Sequence, residues 1–128
     1  MIYIDSSVAL ARLLFEPRSP PLRFWQQELV SSQLLEYEIW NRVHAYDPTG
    51  SNVGPARSLL SGIELLELDR MVLERALEPW PTAIRTLDAL HLATVDYLRR
   101  HGEAVELASY DNRLLAAARA LGIPVAAL

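Results

Sequence analysis

Ile2-Tyr3-Ile4-Asp5-Ser6-Ser7 opens the chain and runs straight into the apolar stretch Val8 to Phe15. Three β-rich residues give way to three side chains that cap helices, which predicts a strand handing over to a helix through a polar turn. The same handover recurs downstream. Leu29-Val30-Ser31-Ser32 predicts a second short strand with a capping end, and the helix after it, Gln33 to Ala45, carries Leu35, Ile39, Val43 and Tyr46 at or near helical spacing. Near the end, Ala104 to Ser109 reads as a strand and Asp111 to Leu121 as an alanine-rich helix closed by Gly122. Strands alternating with helices imply a mostly parallel sheet covered on both faces, a three-layer α/β/α fold with about four to five strands.

The segments between these landmarks follow the same rules. Pro17, Pro20 and Pro21 end the first helix and start another from Leu22 to about Glu28, because proline suits a helix's first turn and not its interior. Asp47 to Asn52 is a turn cluster, Pro55 to Ser61 a helix and Ile63 to Leu68 a third strand. Asp69 caps a helix running to about Glu78, stopped by Pro79 and Pro81. Thr86 begins the strongest helix, Leu87 to about Arg100, with Leu87, Leu90, Thr94 and Leu98 on one stripe and Gly102 closing it. Ile123 to Ala126 is a final strand. With no internal repeat, linker or low-complexity segment, residues 1–128 are expected to form one domain.

Composition narrows the chemistry. Hydrophobic residues make up 51% of the chain and charged residues 22%, a globular balance without an apolar run long enough to cross a bilayer. Met1 to Asp5 carries no basic segment ahead of its apolar residues and does not read as a secretory signal, so the cytoplasm is the expected location and no membrane partner is expected. The absence of cysteine removes disulfides, thiolate metal sites and cysteine nucleophiles together. All 12 basic residues are arginine, so any mechanism that needs a lysine is excluded. The net charge of −4 argues against a general electrostatic grip on nucleic acid, although local patches and bound cations reverse the sign where they occur.

Four carboxylates stand out by position: Asp5, Glu38, Asp88 and Asp111. Each taken alone has a structural explanation. Asp5 and Asp111 sit where N-caps belong, Asp88 lies in a helix's first turn, and Glu38 precedes Arg42 by four residues in good ion-pair order. Jointly they mean more, because Asp5 and Asp111 both follow strands, and open parallel sheets bind ligands at the carboxyl edge where strand order reverses. Asp88 also shares its helix face with Leu92 and Val95, so a charge stands at the start of an apolar side and needs a partner if buried. Clustered carboxylates without cysteine or a clear histidine pair select a hard, oxygen-loving ion, Mg²⁺ or Mn²⁺. Periodicity leaves Glu36 and Glu38 equally eligible as the inward acid.

Four blocks of the chain resemble the PIN-domain ribonucleases, and among them the VapC-type toxins of VapBC toxin–antitoxin pairs. The blocks are Ile4-Asp5-Ser6-Ser7, Ser31-Ser32-Gln33-Leu34-Leu35-Glu36-Tyr37-Glu38, Arg85-Thr86-Leu87-Asp88-Ala89-Leu90-His91-Leu92-Ala93 and Ser109-Tyr110-Asp111-Asn112-Arg113-Leu114. They span essentially the whole chain in the family's order; the third is the most diagnostic, and the match is loose from Tyr46 to Ile84. The resemblance implies a PIN-like α/β/α sandwich, cleavage of RNA with Mg²⁺ or Mn²⁺ to leave a 5′-phosphate and a 3′-hydroxyl, a VapB-type antitoxin as partner, and a homodimer. It also selects Glu38 over Glu36, and implies that Asp5 and Asp88 hold the ion while Glu38 and Asp111 complete the pocket or act through water.

The remaining polar residues divide less sharply. His91, on a largely apolar helix, is expected to be a packed core residue, and Ser6 and Ser7 are expected to cap, with Ser7, Ser109 and Arg85 as possible supports for the site. Arg12, Arg42, Arg85 and Arg113 are positioned to meet phosphates or to stay solvated. Phe24, Trp25, Trp40 and Trp80 are core candidates, and any left exposed would form a groove for an antitoxin segment. Receiver domains and aspartate-nucleophile phosphatases also gather acids at strand ends, but both depend on a lysine. Two further readings stay open: a PIN nuclease of RNA processing without an antitoxin, and a catalytically silent PIN-like module that binds RNA or protein.

Overall fold

The computed structural model describes residues 1–128. Strand β1 (Ile2–Ile4) leads into α1 (Ser6–Leu13), a 3₁₀ helix (Leu22–Gln26), β2 (Leu29–Ser32), α2 (Leu34–Tyr46), α3 (Val53–Ser61) and β3 (Glu64–Leu66). Helices α4 (Arg70–Ala76) and α5 (Thr86–Arg100), strand β4 (Glu106–Ala108) and α6 (Asn112–Ala120) complete the chain. The four strands form one sheet in the order β3-β2-β1-β4, and every pairing is parallel.

Side chains alternate across this sheet as the pleat requires, which sorts the core into two layers. Ile2, Ile4, Leu29 and Ala108 pack with Val8 of α1, Leu35, Ile39 and Val43 of α2 and Ala56 of α3. Tyr3, Val30 and Leu107 face the other way, onto Leu92, Val95 and Leu98 of α5 and Leu114, Leu115, Ala117 and Ala118 of α6. The three-layer α/β/α sandwich expected from alternating strands and helices is present. No helix is long and apolar enough to cross a membrane.

The sheet grows from β1 outward through β2 to β3, and then returns to place β4 on the other side of β1. Strand order therefore reverses between β1 and β4, and the carboxyl ends of those two strands border the crevice where such sheets hold ligands. Asp5 and Asp111 follow those two ends.

Several elements differ from expectation, each for a local reason. Helix α1 begins at Ser6, two residues before Val8, because the Asp5 side chain accepts the Val8 N–H at 3.4 Å and makes Ser6 and Ser7 part of the first turn. It stops at Leu13, and Phe15 takes a left-handed φ of 51° with its ring exposed. The helix expected from Leu22 to Glu28 is a 3₁₀ helix ending at Gln26, since β2 starts at Leu29 and leaves no room for a further turn. The final strand Ile123 to Ala126 shrinks to one bridge between Leu107 and Val125. Leu107 donates to the Pro124 carbonyl at 2.8 Å and Ala126 donates back to Leu107 at 2.9 Å, but Pro124 has no N–H to extend the ladder. On α5 the expected stripe loses Leu87, which is exposed, while Ala89, His91, Leu92, Thr94, Val95 and Leu98 are buried.

Asp69 caps α4 as the sequence indicates, accepting the Val72 N–H at 3.0 Å. Replacing it with alanine orphans that N–H and should cost about 1 kcal/mol. Urea denaturation would show this as a lower midpoint with an unchanged slope.

Candidate functional site

The crevice between β1 and β4 opens into a cleft of about 620 Å³ whose walls include Asp5, Glu38, Asp88 and Asp111. Four acids spread from position 5 to position 111 thus share one concavity. Asp5 follows β1, Glu38 comes from the second turn of α2, Asp88 from the first turn of α5, and Asp111 caps α6 after β4. Glu36 is elsewhere, in a separate recess with Trp40, Arg57 and Leu65. Residues two apart on a helix point in widely different directions, so only one of the two glutamates can reach the cleft.

Asp5 is only 4% exposed, and both of its carboxylate oxygens accept hydrogen bonds. Oδ1 accepts the Ser7 hydroxyl at 2.6 Å and Oδ2 accepts the Ser109 hydroxyl at 2.7 Å. Those serines also tie the two strand ends together: Ser7 Oγ accepts the Tyr110 N–H at 2.9 Å, and Ser109 Oγ accepts the Asp111 N–H at 2.9 Å. Burial pushes the Asp5 carboxyl above its ordinary pKa, and the hydrogen bonds from Ser7 and Ser109 only partly oppose that shift.

Asp88 is strained in a different way. Its Oδ2 is buried without a hydrogen-bond partner, and its pKa is raised, first by burial and then by the neighbouring charge of Asp111. The expectation of a charge beginning an apolar face is met here, since Leu92 and Val95 on that face are fully buried. An unpartnered carboxylate oxygen in a cleft with three other acids is costly unless a cation or donor joins it.

Glu38 does not pair with Arg42, whose guanidinium lies over the Tyr46 ring at 4.9 Å. Its Oε2 accepts the Ser6 hydroxyl at 3.0 Å and its Oε1 lies 2.6 Å from His91 Nε2. Ser6 and Ser7 are therefore not caps: Asp5 performs the capping, and both hydroxyls serve carboxylates. His91 is buried, as expected of a packed residue, but it also lines the cleft and bonds Glu38, a role its apolar helix does not advertise.

Cationic groups gather at the rim. Arg85 and Arg42 line the cleft, together with Arg18, which the sequence does not single out. Arg18 lies over the Tyr110 ring at 4.4 Å and donates to the Tyr110 carbonyl at 3.4 Å, fastening the proline-rich segment after α1 to the end of β4. Arg12 instead stacks on Trp25 at 4.6 Å in a more apolar groove of about 570 Å³ that contains no carboxylate, and Arg113 does not line the cleft. Phe24 is buried, while Trp25, Trp40 and Trp80 are partly buried and pack against the core. No three acids or histidines converge closely enough to form a ready-made cage for an ion. The cleft instead presents carboxylate oxygens around an open space.

The PIN domain family matches residues 2–120. Ribonuclease VapC47 of Mycobacterium tuberculosis is 33% identical, over 98% of this chain and 96% of its own length. Ribonuclease VapC46 of the same species is 35% identical, over 98% of this chain and 96% of its own. Among solved structures, a toxin–antitoxin complex from Klebsiella pneumoniae contains a chain of the same fold, with a TM-score of 0.62 at 18% identity over 91% of both chains. With four acids in a cleft at the strand-order reversal and full-length relatives of this kind, the chain belongs to the PIN-domain family, in its VapC-type ribonuclease branch.

Proposed function

We propose that this chain is a Mg²⁺- or Mn²⁺-dependent endoribonuclease and the toxin of a type II toxin–antitoxin pair, with a VapB-type antitoxin as partner and a homodimer as its working state. The observation that carries the reading is Asp88 Oδ2, a buried oxygen without a partner in a cleft shared with Asp5, Glu38 and Asp111. The donor chemistry fits a hard divalent cation: every anionic donor in the cleft is a carboxylate, Asp88 Oδ2 lacks a partner, and burial disfavours the charged forms of Asp5 and Asp88. Asp5 and Asp88 would hold it, with Glu38 and Asp111 binding directly or through water. When bound, such an ion supplies a water of lowered pKa and offsets charge on the scissile phosphate.

The chain's own residues supply position. Ser7 and Ser109 fix both oxygens of Asp5, so that carboxylate cannot swing away from the crevice. Ser6 and His91 do the same for Glu38. Arg18, Arg42 and Arg85 line the rim, where guanidinium groups can take phosphates on either side of the cleaved bond. With no lysine in the chain, these arginines carry the fixed positive charge that brings an anionic strand to an acidic floor. Hydrolysis is expected to leave a 5′-phosphate and a 3′-hydroxyl.

Incubating the purified protein with a structured RNA, with and without Mg²⁺ or Mn²⁺, tests the reading. Cleavage should require the ion. Glu38→Gln should slow it roughly 10- to 100-fold. Glu36→Gln, whose side chain lies in the other recess, should stay close to wild type. Equal effects of the two substitutions would remove Glu38 from the site. Absence of cleavage by a folded wild type freed of any antitoxin, with either metal, would leave a binding module instead.

A further inference from the structure

We infer that Tyr3 and His91 are positioning residues, a buried hydrogen-bonded relay that fixes the Glu38 carboxylate against the cleft. The inference rests on the reading of Glu38 as part of an ion site and goes beyond it by assigning work to two side chains outside the acidic set.

Tyr3 is the middle residue of β1, completely buried, with its ring on the α5 side of the sheet. A phenol in such a place must satisfy its oxygen. It does so twice. The oxygen accepts the Ser32 N–H from the end of β2 at 3.1 Å, and it lies 2.7 Å from His91 Nδ1, with the two rings edge to face at 5.7 Å. A phenol carries its proton at neutral pH. With an N–H already arriving at its oxygen, that proton is directed onto Nδ1. His91 then carries its own hydrogen on Nε2 and donates it to Glu38 Oε1 at 2.6 Å.

The consequence falls on Glu38. A glutamate has three side-chain torsions, and one projecting into open solvent samples many directions. Here His91 takes one lone pair of Oε1 and Ser6 takes one of Oε2, at 3.0 Å. Each carboxylate oxygen keeps a second lone pair for the cleft. The orientation is set by the sheet itself, because the relay starts at the junction of β1 and β2 and reaches α2 through α5. A leucine pair would fill the same space; a tyrosine and a histidine with both ring nitrogens engaged add direction.

The test measures Mn²⁺ affinity by titration calorimetry on the full chain, without RNA. Tyr3→Phe should weaken Mn²⁺ binding roughly tenfold. In a Glu38→Gln background, the same substitution should change affinity little. His91→Gln, which keeps an N–H within reach of Glu38, should retain affinity that His91→Leu loses. An equal loss from Tyr3→Phe in both backgrounds, or no loss in either, would overturn the relay. Nitrogen-15 spectra of the wild type provide a second check that needs no variant: the Nε2–H tautomer of His91 is expected, and the Nδ1–H tautomer would overturn the relay while leaving the ion site intact. A wild type that binds no Mn²⁺, whatever tautomer the spectra show, would sink the ion site and the relay's purpose with it.

Discussion

Asp5→Asn should reduce RNA cleavage roughly 10³-fold, about 4 kcal/mol of lost transition-state stabilisation, without unfolding the protein. Asparagine has nearly the shape of aspartate, and its carbonyl oxygen can still accept the Ser7 hydroxyl and cap α1 through the Val8 N–H. What it lacks is the charge and the second acceptor oxygen, which takes the Ser109 hydroxyl in the wild type. The metal-free variant should be at least as stable as wild type, because burial disfavours the charged carboxylate that the substitution removes. Single-turnover cleavage alongside thermal melting reads both effects. Loss of activity together with loss of fold would reduce Asp5 to a structural cap, and a variant that cuts within a few-fold of wild type would remove it from the chemistry.

The second large effect is stabilisation by the ion, and it should depend on pH. Asp5 and Asp88 both have native pKa values raised above the ordinary 3.8, so the folded chain holds these protons more tightly than the unfolded chain. Their contribution to stability is fully present below that ordinary value and is lost as pH rises through the raised native values. Asp47 is shifted the opposite way by hydrogen bonds from Ser51, Thr49 and the Asn52 backbone, but its contribution is lost only as pH falls below 3.8, outside this range. At neutral pH the metal-free cleft therefore carries two carboxyls whose charged forms are disfavoured by burial. Mn²⁺ at about a hundredfold excess over its dissociation constant should add about 2.7 kcal/mol, on the order of 10 °C in melting temperature. As pH falls through the raised native values the gain should fade, because protons and ion compete for the same oxygens. A melting temperature that ignores Mn²⁺ at neutral pH would contradict the site.

The parts of this site that were legible in sequence are those with local causes. Asp5 and Asp111 announce themselves because each follows a strand and caps the next helix, and both caps form. Asp88 shows as a charge at the head of an apolar face, and its oxygen is the one left without a partner. The tie between Glu36 and Glu38 could not be broken by periodicity, since what separates them is the position of Ser6 on α1 and His91 on α5. His91 was readable as buried and no further. Its partners Tyr3 and Glu38 lie 88 and 53 residues away in sequence, and no local pattern encodes those meetings. Arg18 escaped for the same reason, being placed by its stacking on Tyr110 across the mouth of the cleft. The fifth strand is a different case: Pro124 carried the warning, because a residue without an N–H cannot extend a ladder.

An anomalous-difference map from a crystal of the wild-type protein grown with Mn²⁺ would locate the ion. It should show manganese in the cleft between Asp5 and Asp88, within coordination distance of Asp88 Oδ2, with Glu38 and Asp111 as ligands or one water away. A cleft without manganese under saturating conditions, or manganese bound only at carboxylates elsewhere such as Glu36, would contradict it.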